Sequence, residues 1–482
     1  MDHKNISRRD FLKTGALSTT GLIGLNGFKQ TQQSNKKGSQ PGDAKNIIFL
    51  VSDGMSSGTL ALADILKRNK YGDKTHWIKL YESDRPYHRG LMNMASLNSP
   101  VPGSAAAASS WGCGHRINNV SVNWGPNDEQ YKPICSIFND SGKATGLVTT
   151  TRITHATPSG FSINMPTRWQ EDEIAAQHLE RSVDLLMGGG NRHFDATMRD
   201  DKRDLYSAFQ KKGYGIARKK SEISTALQND KVLGIFADSH LPYTVDHQHD
   251  KKLQQNVPTL AEMTELALEN LSEKENGFLL QIEGGRVDHG AHANDAAGII
   301  YDQIAFDDAV KKVMDFTENR DDTLVILTTD HGNANPGLNG LGEKYGDSPD
   351  MLATMHDYRH SFEWIQNKIG QTGQPGQINL SRLQEIIEEA TKTGITKREA
   401  GMIKQAFGGN YHAPFKDRSK PQAVMAGVLA NYNGIYFTGT NHTSDYVELA
   451  AWGPGHEKLS NFARNTELFD LMVEMAGVEE YT

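Results

Sequence analysis

Ser104 sits in a stretch whose composition narrows what it can do. Residues 99–114 read Ser-Pro-Val-Pro-Gly-Ser-Ala-Ala-Ala-Ala-Ser-Ser-Trp-Gly-Cys-Gly. Pro100, Pro102 and Gly103 oppose a helix, and the alanines after Ser104 favour one. Ser104 therefore falls at a helix N-terminus among small neighbours. Unpaired N–H groups there favour an anion, either an alkoxide or a phosphate it attacks. On this stretch alone a serine helix cap is the commoner role. The rest of the chain reverses that balance. It carries Asp53, His155, Thr157, Glu283, Asp288, His289, His292, Asp330, His331 and His442, each at or just beyond the end of an expected strand. Carboxylates with imidazoles suit zinc. Asp288 and His292 are four residues apart and can point at one metal, and the adjacent Asp330 and His331 can reach another. Any one of these alone reads as a cap or a surface histidine. Together, buried at strand ends, they would be costly without metal ions.

The elements that must position them alternate. Residues 46–51 form a continuous apolar run, as a buried strand does, and it ends in Ser52-Asp53-Gly54. Open α/β sheets place their chemistry at such strand ends. Further strands are expected over 144–150, leading to His155 and Thr157 with Arg168 just beyond, and over 183–187, 232–236 and 277–283. Another runs from Thr323 to Asp330, and a last one covers 447–452. Helical patterns start at Ile134, cover 205–213 and 259–271, continue in a long amphipathic helix bearing Phe306, Val310 and Val313, and end at 466–476. This order predicts an α/β three-layer sandwich, with a mainly parallel central sheet and helices on both faces. The Gly188-Gly-Gly190 run lacks a P-loop lysine and dinucleotide spacing, so it reads as a turn. Residues 333–436 interrupt the alternation and read as an inserted helical and loop subdomain near the site. Two capping boxes are expected in it, Ser381-x-x-Gln384 and Thr396-x-x-Glu399.

The chain of 482 residues carries a net charge of −8, so it offers no general nucleic-acid surface. No run of about 18 apolar residues suggests a membrane span. Cys113 and Cys135 read as buried thiols, too few for a thiolate metal site. Ser7-Arg8-Arg9-Asp10-Phe11-Leu12-Lys13 is a twin-arginine export signal. It predicts a signal peptide over 1–32, a linker over 33–45, passage through the twin-arginine machinery, and a periplasmic or extracellular address. The catalytic domain is expected over 46–482.

The ordered motifs resemble those of the alkaline phosphatases, zinc-dependent phosphomonoesterases. They are Asp53-Gly-Met, Ser104-Ala-Ala, His155-Ala-Thr157-Pro, Arg168, Glu283-Gly-Gly-Arg-Val-Asp288-His-Gly-Ala-His292, Asp330-His331 and His442-Thr443. The resemblance implies a first zinc on Asp288, His292 and His442, and a second on Asp53, Asp330 and His331 with the Ser104 oxygen. It implies a magnesium on Asp53, Thr157 and Glu283, with His155 beside it. Ser104 would attack phosphorus, Arg168 would grip two phosphate oxygens, and the resulting phosphoserine would then be hydrolysed. Small phosphate esters are the implied substrates, and a homodimer is a possible assembly. A phosphodiesterase or other ester hydrolase of the same superfamily is the alternative, and a non-catalytic phosphate or metal binder is a further one. The Cys/Ser-x-Pro-x-Arg signature of sulfatases is absent. Gly103 stands where many family members carry an aspartate that orients the arginine. His155 and His289 resemble the animal enzymes, which implies a third site open to zinc and an alkaline optimum.

Overall fold

Residues 46–51 are buried at every position, and they form the strand β1 (Asn46–Val51) near the middle of the sheet. The structure is a computed structural model and describes residues 39–341 and 345–478. The twin-arginine segment and residues 33–38 of the expected linker lie outside them. Within them, residues 39–45 run against the C-terminal helix: Gly42 and Ala44 donate backbone bonds to Glu474 and Met475.

The remaining strands are β2 (His88–Asn93), β3 (Ala144–Arg152), β4 (Leu185–Gly189), β5 (Tyr214–Ala217), β6 (Lys231–Ile235), β7 (Phe278–Glu283), β8 (Thr323–Thr328), β9 (Pro336–Leu338), β10 (Ile435–Phe437), β11 (Val447–Trp452) and β12 (Phe462–Arg464). Among the described residues, ten of the twelve strands make one sheet in the order β12-β2-β11-β8-β1-β7-β3-β4-β6-β5. The pairs β8-β1, β1-β7 and β7-β3 are parallel. Their register aligns Thr328, Val51, Glu283 and Thr149 across the carboxyl edge. β11 runs antiparallel to both its neighbours, β2 and β8. Alternate residues of β1 feed two apolar cores: Ile47, Phe49 and Val51 on one face, Ile48 and Leu50 on the other. This is the α/β sandwich expected from the alternation.

The helix Ser104–Gly112 begins where the prolines end, with Gly103 as its N-cap and Ser104 as its first residue. The alanine run allows close packing against the helix Ala156–Ser162. A Cβ on Gly112 would stand 1.9 Å from the Gly160 carbonyl oxygen, and one on Gly160 would stand 2.5 Å from the Ala108 Cβ. No larger residue fits where these backbones meet.

The antiparallel ribbon of β9 and β10 opens and closes the segment that breaks the alternation. Its helices share an apolar core with Ile299 and Ile300 of the long helix Ala296–Thr317. The capping box at Thr396 and Glu399 is present. The expected box at Ser381 is not. Asn379 caps the helix Leu380–Thr391 by accepting from Ser381 and Arg382, while Gln384 donates to the Ile395 carbonyl. Asparagine two positions earlier takes the cap because its side chain reaches both N–H groups. Among the described residues, no helix is long and apolar enough to cross a membrane.

Candidate active site

Each of four adjacent parallel strands delivers part of the site at its carboxyl end. β1 leads to Asp53, β3 to His155 and Thr157, β7 ends in Glu283 and leads to the helix Arg286–His292, and β8 leads to Asp330 and His331. His442 comes from the other direction. Because β11 is antiparallel, the residues before its start lie at that same edge, and Asn333 and His442 form a bridge there. Gly54 turns the chain after Asp53 at a φ of +71°, and a Cβ there would meet the Asp288 Oδ1 at 2.5 Å. Only glycine lets the two carboxylate loops approach this closely.

Three groups of ligand atoms result: Asp288, His292 and His442; Asp53, Asp330 and His331; and Asp53, His155 and Glu283. The atoms of each group lie within 4.8 Å of one another. In the first, the Nε2 atoms of His292 and His442 are 3.0 Å apart, and each is 3.5 Å from an Asp288 oxygen. Their Nδ1 atoms are held by the carbonyls of Thr440 and Pro102, which leaves both Nε2 atoms facing inward as ligands. In the second, His331 Nε2 lies 3.1 Å from Asp330 and 3.6 Å from Asp53. Ser104 Oγ is 3.4 Å from the same nitrogen. In the third, Thr157 Oγ1 donates to Asp53 at 3.2 Å. Arg168 Nη2 contacts His155 Nε2 at 2.7 Å, and its guanidinium lies against the exposed Trp169 ring.

The electrostatics suit cations. One oxygen each of Asp53, Glu283 and Asp330 is buried without a hydrogen-bond partner, as is His331 Nδ1. Burial, then the charges of Asp330, Asp288 and Glu283, push the Asp53 carboxyl well above the usual range. Burial raises Glu283 to about 7, against hydrogen bonds from Thr149 and Thr151. Burial also opposes the charge of Asp288, but His292 and His442 hold it well below the ordinary value. His442 is pulled down to about 4 by burial and by His331. Orphaned buried oxygens among mutually repelling carboxylates fit divalent cations, which satisfy both deficits at once.

The residues Ser104, Arg168, His155, Asp288 and His442 line one open cavity of about 560 Å³, far larger than a phosphate group. Several supporting residues carried no sequence signal read as functional. Asn333 donates to Asp288 Oδ1 at 2.7 Å, and Thr149 and Thr151 hold Glu283. His240 sits against His289, their rings 4.2 Å apart, and contacts Arg152. The Thr149-Thr150-Thr151 run at the end of a buried strand was the available clue, because hydroxyls there need partners.

A mainly parallel sheet with these groups at its carboxyl edge defines an α/β protein with a candidate multi-metal site. A family model described as alkaline phosphatase matches residues 44–478. Alkaline phosphatase 4 of Bacillus subtilis is 27% identical over 466 residues, covering 95% of this chain and 94% of that protein. The repressible alkaline phosphatase of Saccharomyces cerevisiae is 33% identical over 406 residues, covering 76% and 69%. The crystal structure of Thermus thermophilus alkaline phosphatase matches with a TM-score of 0.84 and 32% identity, over 95% of this chain and 96% of that one. The chain belongs to the alkaline phosphatase family and is a phosphomonoesterase of that family.

Proposed function

We propose that this enzyme hydrolyses phosphate monoesters of broad structure through a phosphoserine on Ser104, with two zinc ions and one magnesium ion bound. The three neighbouring ligand groups, two of them sharing Asp53 and one holding His331 with its Nε2 3.4 Å from the Ser104 hydroxyl, carry the reading. Asp288, His292 and His442 would hold one zinc, and Asp53, Asp330 and His331 the other. Asp53, Thr157 and Glu283 would hold the magnesium, with His155 beside them. Such cations supply Lewis-acid stabilisation of the entering and leaving oxygens of an in-line displacement. Ser104 supplies the nucleophilic oxygen from the first position of its helix, where free N–H groups favour negative charge. Arg168 presents a planar fork for two non-bridging oxygens of the substrate. Carbonyl partners keep His292 and His442 in the tautomer that faces inward. We further infer from Arg8 and Arg9 that the folded chain is exported by the twin-arginine route to act outside the cytoplasm.

Comparing p-nitrophenyl phosphate with bis(p-nitrophenyl) phosphate on the zinc- and magnesium-loaded enzyme tests this reading. The monoester is expected to turn over at least ten times faster. A faster diester would replace the proposal with the phosphodiesterase alternative.

A further inference from the structure

Val120 has a φ of +83°, a conformation that a β-branched residue adopts only under constraint, and it lies on the wall of the Ser104 cavity. Its neighbours supply that constraint. Asn119 accepts from the Gly103 N–H at 2.8 Å and donates from Nδ2 to the Val101 carbonyl at 3.0 Å. The Asn119 N–H donates to Asn98 Oδ1 at 3.0 Å. The Val120 carbonyl accepts from the Arg168 N–H at 2.9 Å. Val122 and Met165 exchange both backbone bonds at 2.9 Å, and Ser121 Oγ donates to the Pro166 carbonyl. Residues 119–122 are thus tied to the turn before the nucleophile on one side and to the chain entering Arg168 on the other. Gly103 carries no side chain that could span this distance itself.

We propose that this strap sets the spacing between Ser104 and Arg168, with Asn119 as the positioning residue. A long arginine side chain keeps its fork in register only if its backbone is fixed. A misplacement of about 1 Å is enough to cost two orders of magnitude in rate. Asn119 lines the same cavity, but its amide oxygen and nitrogen are engaged by Gly103 and Val101. It acts by fixing Gly103 while Val120, next in sequence, fixes Arg168. The inference rests on the reading of Arg168 as the phosphate grip, and the test separates the two.

The test is a double-mutant cycle on the metal-loaded enzyme, read as competitive inhibition by inorganic phosphate alongside KM and kcat. Asn119→Ala is expected to weaken phosphate inhibition and raise KM about tenfold, with a smaller loss in kcat. In an Arg168→Ala background the same change is expected to weaken phosphate by less than twofold. Asn98→Ala, a milder cut in the same strap, is expected to show a smaller effect with the same dependence on Arg168. It serves if Asn119→Ala melts too low to assay. An equal factor in both backgrounds would overturn the strap and leave Arg168 as the grip. An Arg168→Ala variant that binds phosphate as wild type does would remove the grip itself and the inference with it.

Discussion

Glu283 shows how a single carboxyl couples metal to pH. Burial lifts it to about 7 in the metal-free site, above its ordinary 4.5. Between those values the folded state keeps a proton that the unfolded state releases. Through this group, metal-free stability therefore declines as pH rises from about 4.5 to about 7. A cation at this site must displace the proton below pH 7, so affinity is expected to fall about tenfold per pH unit there. Calorimetric titration of magnesium in buffers of different ionisation enthalpy reads this directly. An affinity flat between pH 6 and 8, with no proton released, would contradict it. The residues of the three ligand groups were legible in the sequence because carboxylates and imidazoles at strand ends stand out by chemistry. Thr149, Thr151 and Asn333 were not, since a hydroxyl or amide becomes functional only through the partner that folding brings it.

Two helices meeting through only glycine and alanine explain the small-residue run after Ser104. Composition alone showed a helix there but not its purpose, which depends on Gly160 some fifty positions on. Gly112→Ala places a methyl against the Gly160 carbonyl, where 1.9 Å is available. It is expected to cost about 1–3 kcal/mol and to lower activity by shifting Ser104 relative to Thr157. A thermal melt with a parallel assay checks both, and a variant with wild-type melting would mean that the helices can separate freely. Most helix starts were legible, at Ser104, Ile134, Leu205, Thr259 and Thr396, but one was not. Ser381 fitted the cap pattern, yet Asn379 holds the position. Asn379→Ala is expected to destabilise by about 1 kcal/mol and Ser381→Ala by less than 0.5. The reverse order in chemical denaturation would restore Ser381 as the cap.

Across the whole molecule, the sheet's direction gathers the site. Four parallel strands place their carboxyl ends together, and the antiparallel β11 brings His442 to the same edge. The parallel core was legible because its strands are continuous apolar runs with polar ends. The edge strands β5 and β12, and β2 beside β12, were not: they are short or mixed in polarity, and their pairing partners decide them. With Asp53, Asp288, Asp330 and Glu283 concentrated in one buried site, the proposed metals would become part of the fold's stability. Stripping with a chelator is expected to lower the melting temperature. Returned zinc is expected to raise it in step with free metal, by about 1.4 kcal/mol per decade above saturation at a single site. A melting temperature indifferent to chelation would mean that the carboxylates are neutralised by protons alone.

The proposed mechanism requires Ser104 to carry the phosphoryl group during turnover. The most direct measurement is acid quenching of the zinc- and magnesium-loaded enzyme during turnover of p-nitrophenyl phosphate, followed by mass spectrometry of the peptide containing Ser104. The wild type is expected to carry a phosphoryl group on that serine. In Ser104→Ala none is expected, with turnover lower by about a thousandfold or more. A Ser104→Ala enzyme as fast as wild type would contradict the account and return Ser104 to the role of the first residue of a helix.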